Sequence, residues 1–152
     1  MFSYGLAAVR LDGKWGFIDT TGQEVISLVY DNAKRFSDGL AAVNNNGKWG
    51  FIDVTGREVV PLIYTYVWAF HDGLARAYYG GYLDIIAPCN SRHVFPHSGE
   101  WRILDTNGNV VAVLDYNYVG RISNGIAAVQ PYGGWVGYRY LIESWGFVRI
   151  GI

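Results

Sequence analysis

Apolar and polar positions alternate along most of the chain in short runs, and a Gly, Asn or Asp interrupts them every few residues. Such a period of two, rich in Val and Ile, predicts β-strands separated by tight turns. Leu6 to Leu11 reads as a strand, Asp12-Gly13 as a two-residue hairpin turn, and Lys14 to Ile18 as the returning strand. On that return Trp15 and Phe17 share one face while Gly16 and Ile18 share the other. Asp19-Thr20-Thr21-Gly22 forms the next turn, and Glu24 to Tyr30 a third strand. The connector that follows, Asp31 to Asp38, carries Phe36 as an apolar anchor.

The same succession then starts again. Gly5-Leu6-Ala7-Ala8-Val9 returns as Gly39-Leu40-Ala41-Ala42-Val43, and is recognisable at Gly73-Leu74-Ala75 and Gly125-Ile126-Ala127-Ala128-Val129. Lys14-Trp15-Gly16-Phe17-Ile18-Asp19 returns 34 residues later as Lys48-Trp49-Gly50-Phe51-Ile52-Asp53, with Asn46-Gly47 in the hairpin turn. Trp101 and Trp145 are the anchors of the later copies. Gly22, Gly56 and Gly108 stand at one offset from their tryptophans, Tyr30, Tyr64 and Tyr116 at another. Asp19, Asp53 and Asp105 open equivalent turns, so their recurrence assigns them to turn geometry, where a carboxylate accepts hydrogen bonds from the turn's own amides. The motif glycine implies that a neighbouring backbone or ring packs where a side chain would stand. Pro61, inside the second copy's third strand, implies an edge, a bulge or an irregularity there.

These residues resemble the WG repeat family of bacterial proteins, whose hallmark is a Gly-Leu-Ala-x-Val block followed by Lys-Trp-Gly-Phe-Ile-Asp-x-x-Gly. The first two copies match nearly residue by residue. The third keeps Trp101 and Asp105 but has Arg102 for the glycine, and the fourth has Arg149 for the aspartate. The resemblance implies a tandem β-structure used as a binding or interaction module, with no chemistry of its own.

The expected architecture is one all-β domain over residues 1–152, made of 34-residue repeats of three short antiparallel strands in an open, twisted array. Its units are residues 5–38, 39–72, 73–124 and 125–152, eleven strands with the last unit's third strand missing. A small closed β-propeller or barrel-like ring is the alternative. An insertion of 18 residues lies between Gly73 and Trp101, and one of ten between Gly125 and Trp145. Both replace the same hairpin turn, so stacked neighbours would bring them side by side.

The insertions hold the candidate binding residues: Tyr78, Tyr79 and Tyr82 in the first, and Tyr132, Trp135, Tyr138 and Tyr140 in the second. Tyrosine and tryptophan offer large contact area with few rotamers to freeze, which suits recognition of a protein partner or, alternatively, stacking on a glycan. The plainer reading is that the insertions lengthen hairpins and cover the core. Cys89, His93 and His97, with Glu100 following, carry zinc-ligand chemistry, but Pro88 and Pro96 oppose the helix that would align ligands at that spacing. No phosphate-binding glycine loop is present, and His97-Ser98 adjacency is no catalytic arrangement. The chain is accordingly read as non-enzymatic, without a cofactor.

With 51% hydrophobic and 16% charged residues the chain suits a folded domain. A net charge of −1 and nine scattered arginines give no electrostatic pull toward nucleic acid. No apolar run approaches membrane-spanning length, and the given chain shows no signal peptide, so a soluble protein is expected, its compartment left open with the cytoplasm slightly favoured. A lone cysteine excludes an internal disulfide.

Overall fold

A computed structural model describes residues 1–86, 93–131, 135–136, 139–140 and 146–151, with side chains for these except 83–86, 93–97, 135–136 and 139–140. Each repeat folds into its own small antiparallel sheet. The first contains β1 (Leu6–Leu11), β2 (Lys14–Asp19) and β3 (Glu24–Tyr30). The second contains β4 (Asn32–Ala33), β5 (Leu40–Asn45), β6 (Lys48–Asp53) and β7 (Glu58–Tyr64). The third contains β8 (Tyr66–Val67), β9 (Leu74–Ile86), β10 (His93–Asp105) and β11 (Val110–Leu114). After β12 (Tyr118–Ser123) and β13 (Ile126–Gln130), a separate short pair joins β14 (Trp135–Val136) to β15 (Arg139–Tyr140). The fourth sheet is completed by β16 (Gly146–Arg149), in the order β12-β13-β16.

The hairpin register is common to all four sheets. Ala8 lies opposite Phe17, Ala42 opposite Phe51 and Ala128 opposite Phe147. The turns between β1 and β2 and between β5 and β6 use Asp12-Gly13 and Asn46-Gly47, all four residues at φ between 49° and 83°. Two successive left-handed residues match the right-handed twist of the flanking strands. The connectors contribute a strand that the three-strand reading lacked. Asn32–Ala33 pairs with β5 and Tyr66–Val67 with β9, giving the second and third sheets four strands.

The core lies between sheets rather than within one. Leu6, Phe17 and Ile26 of the first sheet pack on Ala33, Ala41, Val43 and Ile52 of the second sheet and on Phe36 in the connector between β4 and β5. Leu40, Phe51 and Val60 pack in the same way on Val67, Phe70, Ala75, Ala77 and Leu104. Leu74 and Ile103 then meet Val119, Ile122, Ala127 and Val129. One face of each sheet therefore covers the opposite face of the next, and each fully buried Phe gains about 1.5–3 kcal/mol from leaving water. Ring pairs mark the junctions, with Phe17 4.9 Å from Phe36 and Phe51 4.7 Å from Phe70. None of the sheets closes into a barrel, and among the described residues the packing clusters join neighbouring sheets only. The architecture is an open stack of repeats, and among the described residues no helix is long and apolar enough to cross a membrane.

Candidate functional site

The repeated motif residues do structural work in each sheet. Trp15 and Trp49 occupy equivalent places beside Phe17 and Phe51, and Trp101 is fully buried in the third. Trp145 lies outside the described residues. Three residues of the third strand, Ser27 to Val29, stand opposite Gly16 alone, and Pro61 to Ile63 stand opposite Gly50. That bulge drives the strand's backbone onto the glycine. A Cβ at Gly16 would sit 2.5 Å from the Ile26 carbonyl oxygen, and one at Gly50 2.4 Å from that of Val60. Pro61 is not the cause, since the first sheet has the same bulge without a proline.

The turn aspartates are saturated by their own turns. Asp19 accepts from the Thr21 hydroxyl at 2.6 Å and from the Thr21 and Gln23 amides; Asp53 does so from Thr55 and Arg57. Asp105 accepts from the Asn107 and Asn109 amides and the Asn109 side chain. These bonds favour the charged form and lower all three carboxyls, Asp53 to about 2, with the Thr55 hydroxyl as its largest cause. Gly22, Gly56 and Gly108 close the same turns at φ 85° to 86°.

The third repeat departs from this frame. Its insertion continues the hairpin, so β9 and β10 each run for 13 residues, with Gly80, Gly81 and Ser98 in the left-handed region. Tyr78, grouped from the sequence with the binding aromatics, is fully buried. It stands opposite Trp101, the place held by Arg10 and Asn44 in the earlier hairpins, and so belongs to the repeat and not to the insertion. Its hydroxyl accepts the Gly99 amide at 2.9 Å, and burial raises its pKa. Its ring joins Trp101, Trp68 and Tyr118 in an aromatic cluster.

Beyond Tyr78 the hairpin presents Tyr79 and Tyr82, 37% and 56% exposed. The Arg102 guanidinium lies 3.6 Å from the Tyr79 ring centre and is held there by Glu100 at 2.6 Å; Tyr64 meets the same ring edge-on. Tyr79, Glu100 and Arg102, with Ser98, Val113 and Asp115, border an open recess of about 720 Å³. A rigid aromatic, a fixed cation and a carboxylate are thus gathered on one rim. Such a rim can accept an apolar group and orient polar ones.

A second recess, of about 330 Å³, had no counterpart in the sequence reading. Arg35, Ser37, Trp68, His71, Arg76 and Arg121 line it, drawn from three successive connectors and β9. Arg76 stacks on Trp68 and donates to the Val119 carbonyl, and burial lowers its pKa. Among the described residues none of the three arginines forms an ion pair, so the recess can meet an anionic group. The available signal was that Arg35 and Arg121 each precede a connector anchor, Phe36 and Ile122.

The remaining sequence candidates are less fully placed. His93 and His97 lie on β10, where four residues of extended backbone span about 13 Å and supply none of the convergence of a helix. Their side chains, and all of Cys89, lie outside the described residues. Among the described residues no three metal-ligating side chains come together. Trp135 pairs with Tyr140 through the backbones of β14 and β15, whereas Tyr132 and Tyr138 fall outside, and with them the juxtaposition of the two insertions.

The pattern of Trp-to-Trp units decides the family. The model described as WG containing repeat matches residues 1–15, 15–49, 49–82 and 101–135, most of the chain. The protein belongs to the WG-containing repeat family. The gap in the match, residues 83–100, coincides with the extended part of the β9–β10 hairpin. The last matched unit of this WG repeat protein ends on Trp135, ten residues past Gly125, the same spacing as Gly5 to Trp15. Strand pairing nevertheless gives that hairpin's return to β16, with Val129 opposite Gly146 as Val9 is opposite Gly16. No curated protein and no solved structure matches the chain.

Proposed function

We propose that this WG repeat protein is a non-catalytic scaffold that binds a polypeptide partner through the extended hairpin of its third repeat. The observation that carries the reading is the rim of Tyr79, Arg102 and Glu100, with Tyr82 beyond it: aromatic surface exposed, yet held in place by stacking and an ion pair. Preordered Tyr and Arg side chains lose little conformational freedom on binding and dominate the energetics of protein interfaces. Sugar stacking needs an open ring face, and Arg102 already lies over one face of Tyr79, which favours a polypeptide over a glycan. The turn carboxylates, each engaged with its own backbone, offer no general acid or base.

The test is affinity capture from the native host with the unaltered chain, Tyr79→Ala and Tyr82→Ala, read by quantitative mass spectrometry. A partner retained by the unaltered chain and depleted about tenfold by either substitution, at unchanged melting temperature, supports the reading. Equal recovery by all three proteins overturns it, and specific retention on a polysaccharide column lost in Tyr79→Ala replaces the polypeptide by a glycan.

A further inference from the structure

Two exchanges at repeat positions create the arginine-lined recess. Arg35 and Arg121 each stand one residue before a connector's apolar anchor, and in the connector between theirs Ala69 holds that place before Phe70. Arg76 stands opposite Ile103, where the other hairpins put Ala8, Ala42 and Ala128 opposite a phenylalanine. The short side chain of Ala69 leaves a gap between the arginines of its two neighbours, and Arg76 supplies a third cation to the wall of that gap. The Ser37 hydroxyl donates to the Phe70 carbonyl at 2.7 Å and Arg76 donates to the Val119 carbonyl, so hydrogen bonds tie the connectors together around it.

Three guanidinium groups in one recess of about 330 Å³ repel one another, and no carboxylate lines the recess to compensate them. Among the described residues none of the three lies within ion-pairing distance of a carboxylate. Arg35 reaches the Met1 sulfur at 3.6 Å, and Arg76 meets the Trp68 ring, the Val119 carbonyl and the Tyr118 side chain, all uncharged. Asp38 and Asp72, each one residue past a lining residue, are turned to the Gly73 amide and to His71. Burial lowers the pKa of Arg76, and the charge of Arg121 adds to that effect.

The geometry points to a phosphate site: the recess takes the phosphate monoester group of a ligand, clamped between Arg35 and Arg121 with Arg76 as a fixed charge at the wall. A guanidinium presents a planar fork of donors that fits paired oxygens. A phosphate monoester gathers nearly two charges and three acceptor oxygens on one centre, enough to engage several arginines at once, whereas a single carboxylate brings one charge. Trp68 offers no platform for a stacked base, because Arg76 lies over it and the rings of Trp101 and Tyr66 stand 5.1 and 4.8 Å away. The phosphate therefore carries the recognition, and the volume, at the lower end of the range of about 300–1,000 Å³ usual for ligand sites, leaves room for a short organic stem. This recess shares no lining residue with the rim around Tyr79, so either assignment can fail alone.

The test is isothermal titration calorimetry of the 152-residue chain with two probes, glycerol 3-phosphate and a capped glycine peptide with one central phosphoserine. A saturable single-site isotherm with Kd below about 1 mM is expected for at least one of them. Arg35→Gln and Arg121→Gln should each weaken it about tenfold, and Ala69→Leu, which fills the gap without changing charge, should abolish it. All three residues are exposed, so melting temperatures should stay unchanged. If Ala69→Leu unfolds the chain, the two arginine variants decide. Tighter binding of the peptide assigns the phosphate to a phosphorylated polypeptide, and binding of glycerol 3-phosphate at least as tight assigns it to a small molecule. No saturable binding of either probe, equally tight binding of succinate, or affinities that neither arginine substitution changes would overturn the inference.

Discussion

Replacing Gly50 by alanine adds one methyl group at a site where no torsional penalty arises, because Gly50 does not have a left-handed φ. The cost is steric alone. The new Cβ would stand 2.4 Å from the Val60 carbonyl oxygen and 2.8 Å from the carbonyl carbon and oxygen of Pro61, all backbone atoms of the paired strand β7. Restoring ordinary contact requires β7 to retreat by about 1 Å, which thins its packing against Phe51 and the third sheet. Overpacking of this kind costs about 1–3 kcal/mol, offset by about 0.5 kcal/mol from the lower entropy of the unfolded alanine chain. For a domain of this size that corresponds to a fall in melting temperature of about 2–4 °C per kcal/mol. Gly16→Ala should cost less, because β3 lies in an end sheet and retreats more freely. Gly146→Ala is the internal control, since its Cβ would make one ordinary contact at 3.7 Å. Urea unfolding of the three variants should rank Gly50 as most damaged and Gly146 as neutral within about 0.5 kcal/mol. Equal stability of Gly50→Ala and Gly146→Ala would refute the explanation of the motif glycine.

Further outcomes follow from the same geometry. Phe51→Ala should lose about 3–5 kcal/mol, whereas Phe147→Ala, at a 79% exposed position, should lie within about 0.5 kcal/mol of the unaltered chain by chemical denaturation. Tyr78→Ala should destabilise by a similar 3–5 kcal/mol or so and quench the aromatic near-ultraviolet circular dichroism, because the ring fills the cluster around Trp101. The lowered carboxyls of Asp19, Asp53 and Asp105 stabilise the fold above the ordinary carboxylate pKa, and that contribution drains away as pH falls from about 4 through 2. The urea midpoint should therefore drop across this window, with a shallower slope in Asp53→Asn; an identical slope would remove Asp53 from the acid response.

The parts of the fold legible in the sequence are those set by local chemistry and repetition. Asp12-Gly13 and Asn46-Gly47 specify hairpin turns by themselves, and the recurrence of Trp, Phe and Tyr at fixed offsets aligns the strands around them. The two-residue strands Asn32–Ala33 and Tyr66–Val67 carry no periodic signal, since pairing with the next hairpin alone makes them extended. The placing of Tyr78 was available, because five residues past Gly73 is the position opposite the tryptophan; its aromatic neighbours Tyr79 and Tyr82 drew it into the insertion instead. The fourth hairpin offers two tryptophans, Trp135 at the regular spacing and Trp145 within the fuller motif, and strand pairing agrees with the motif, placing Val129 opposite Gly146. The arginine-lined recess was hidden for another reason: connectors about 34 and 52 residues apart meet there only through the stacking of the sheets.

That stacking is the claim on which the rest stands, and aromatic nuclear Overhauser contacts in solution measure it most directly. Ring centres 4.9 Å apart for Phe17 and Phe36, and 4.7 Å apart for Phe51 and Phe70, predict strong cross-peaks within each pair. Their absence, or cross-peaks joining Phe17 to Phe51 instead, would mean that successive repeats do not cover one another in this way.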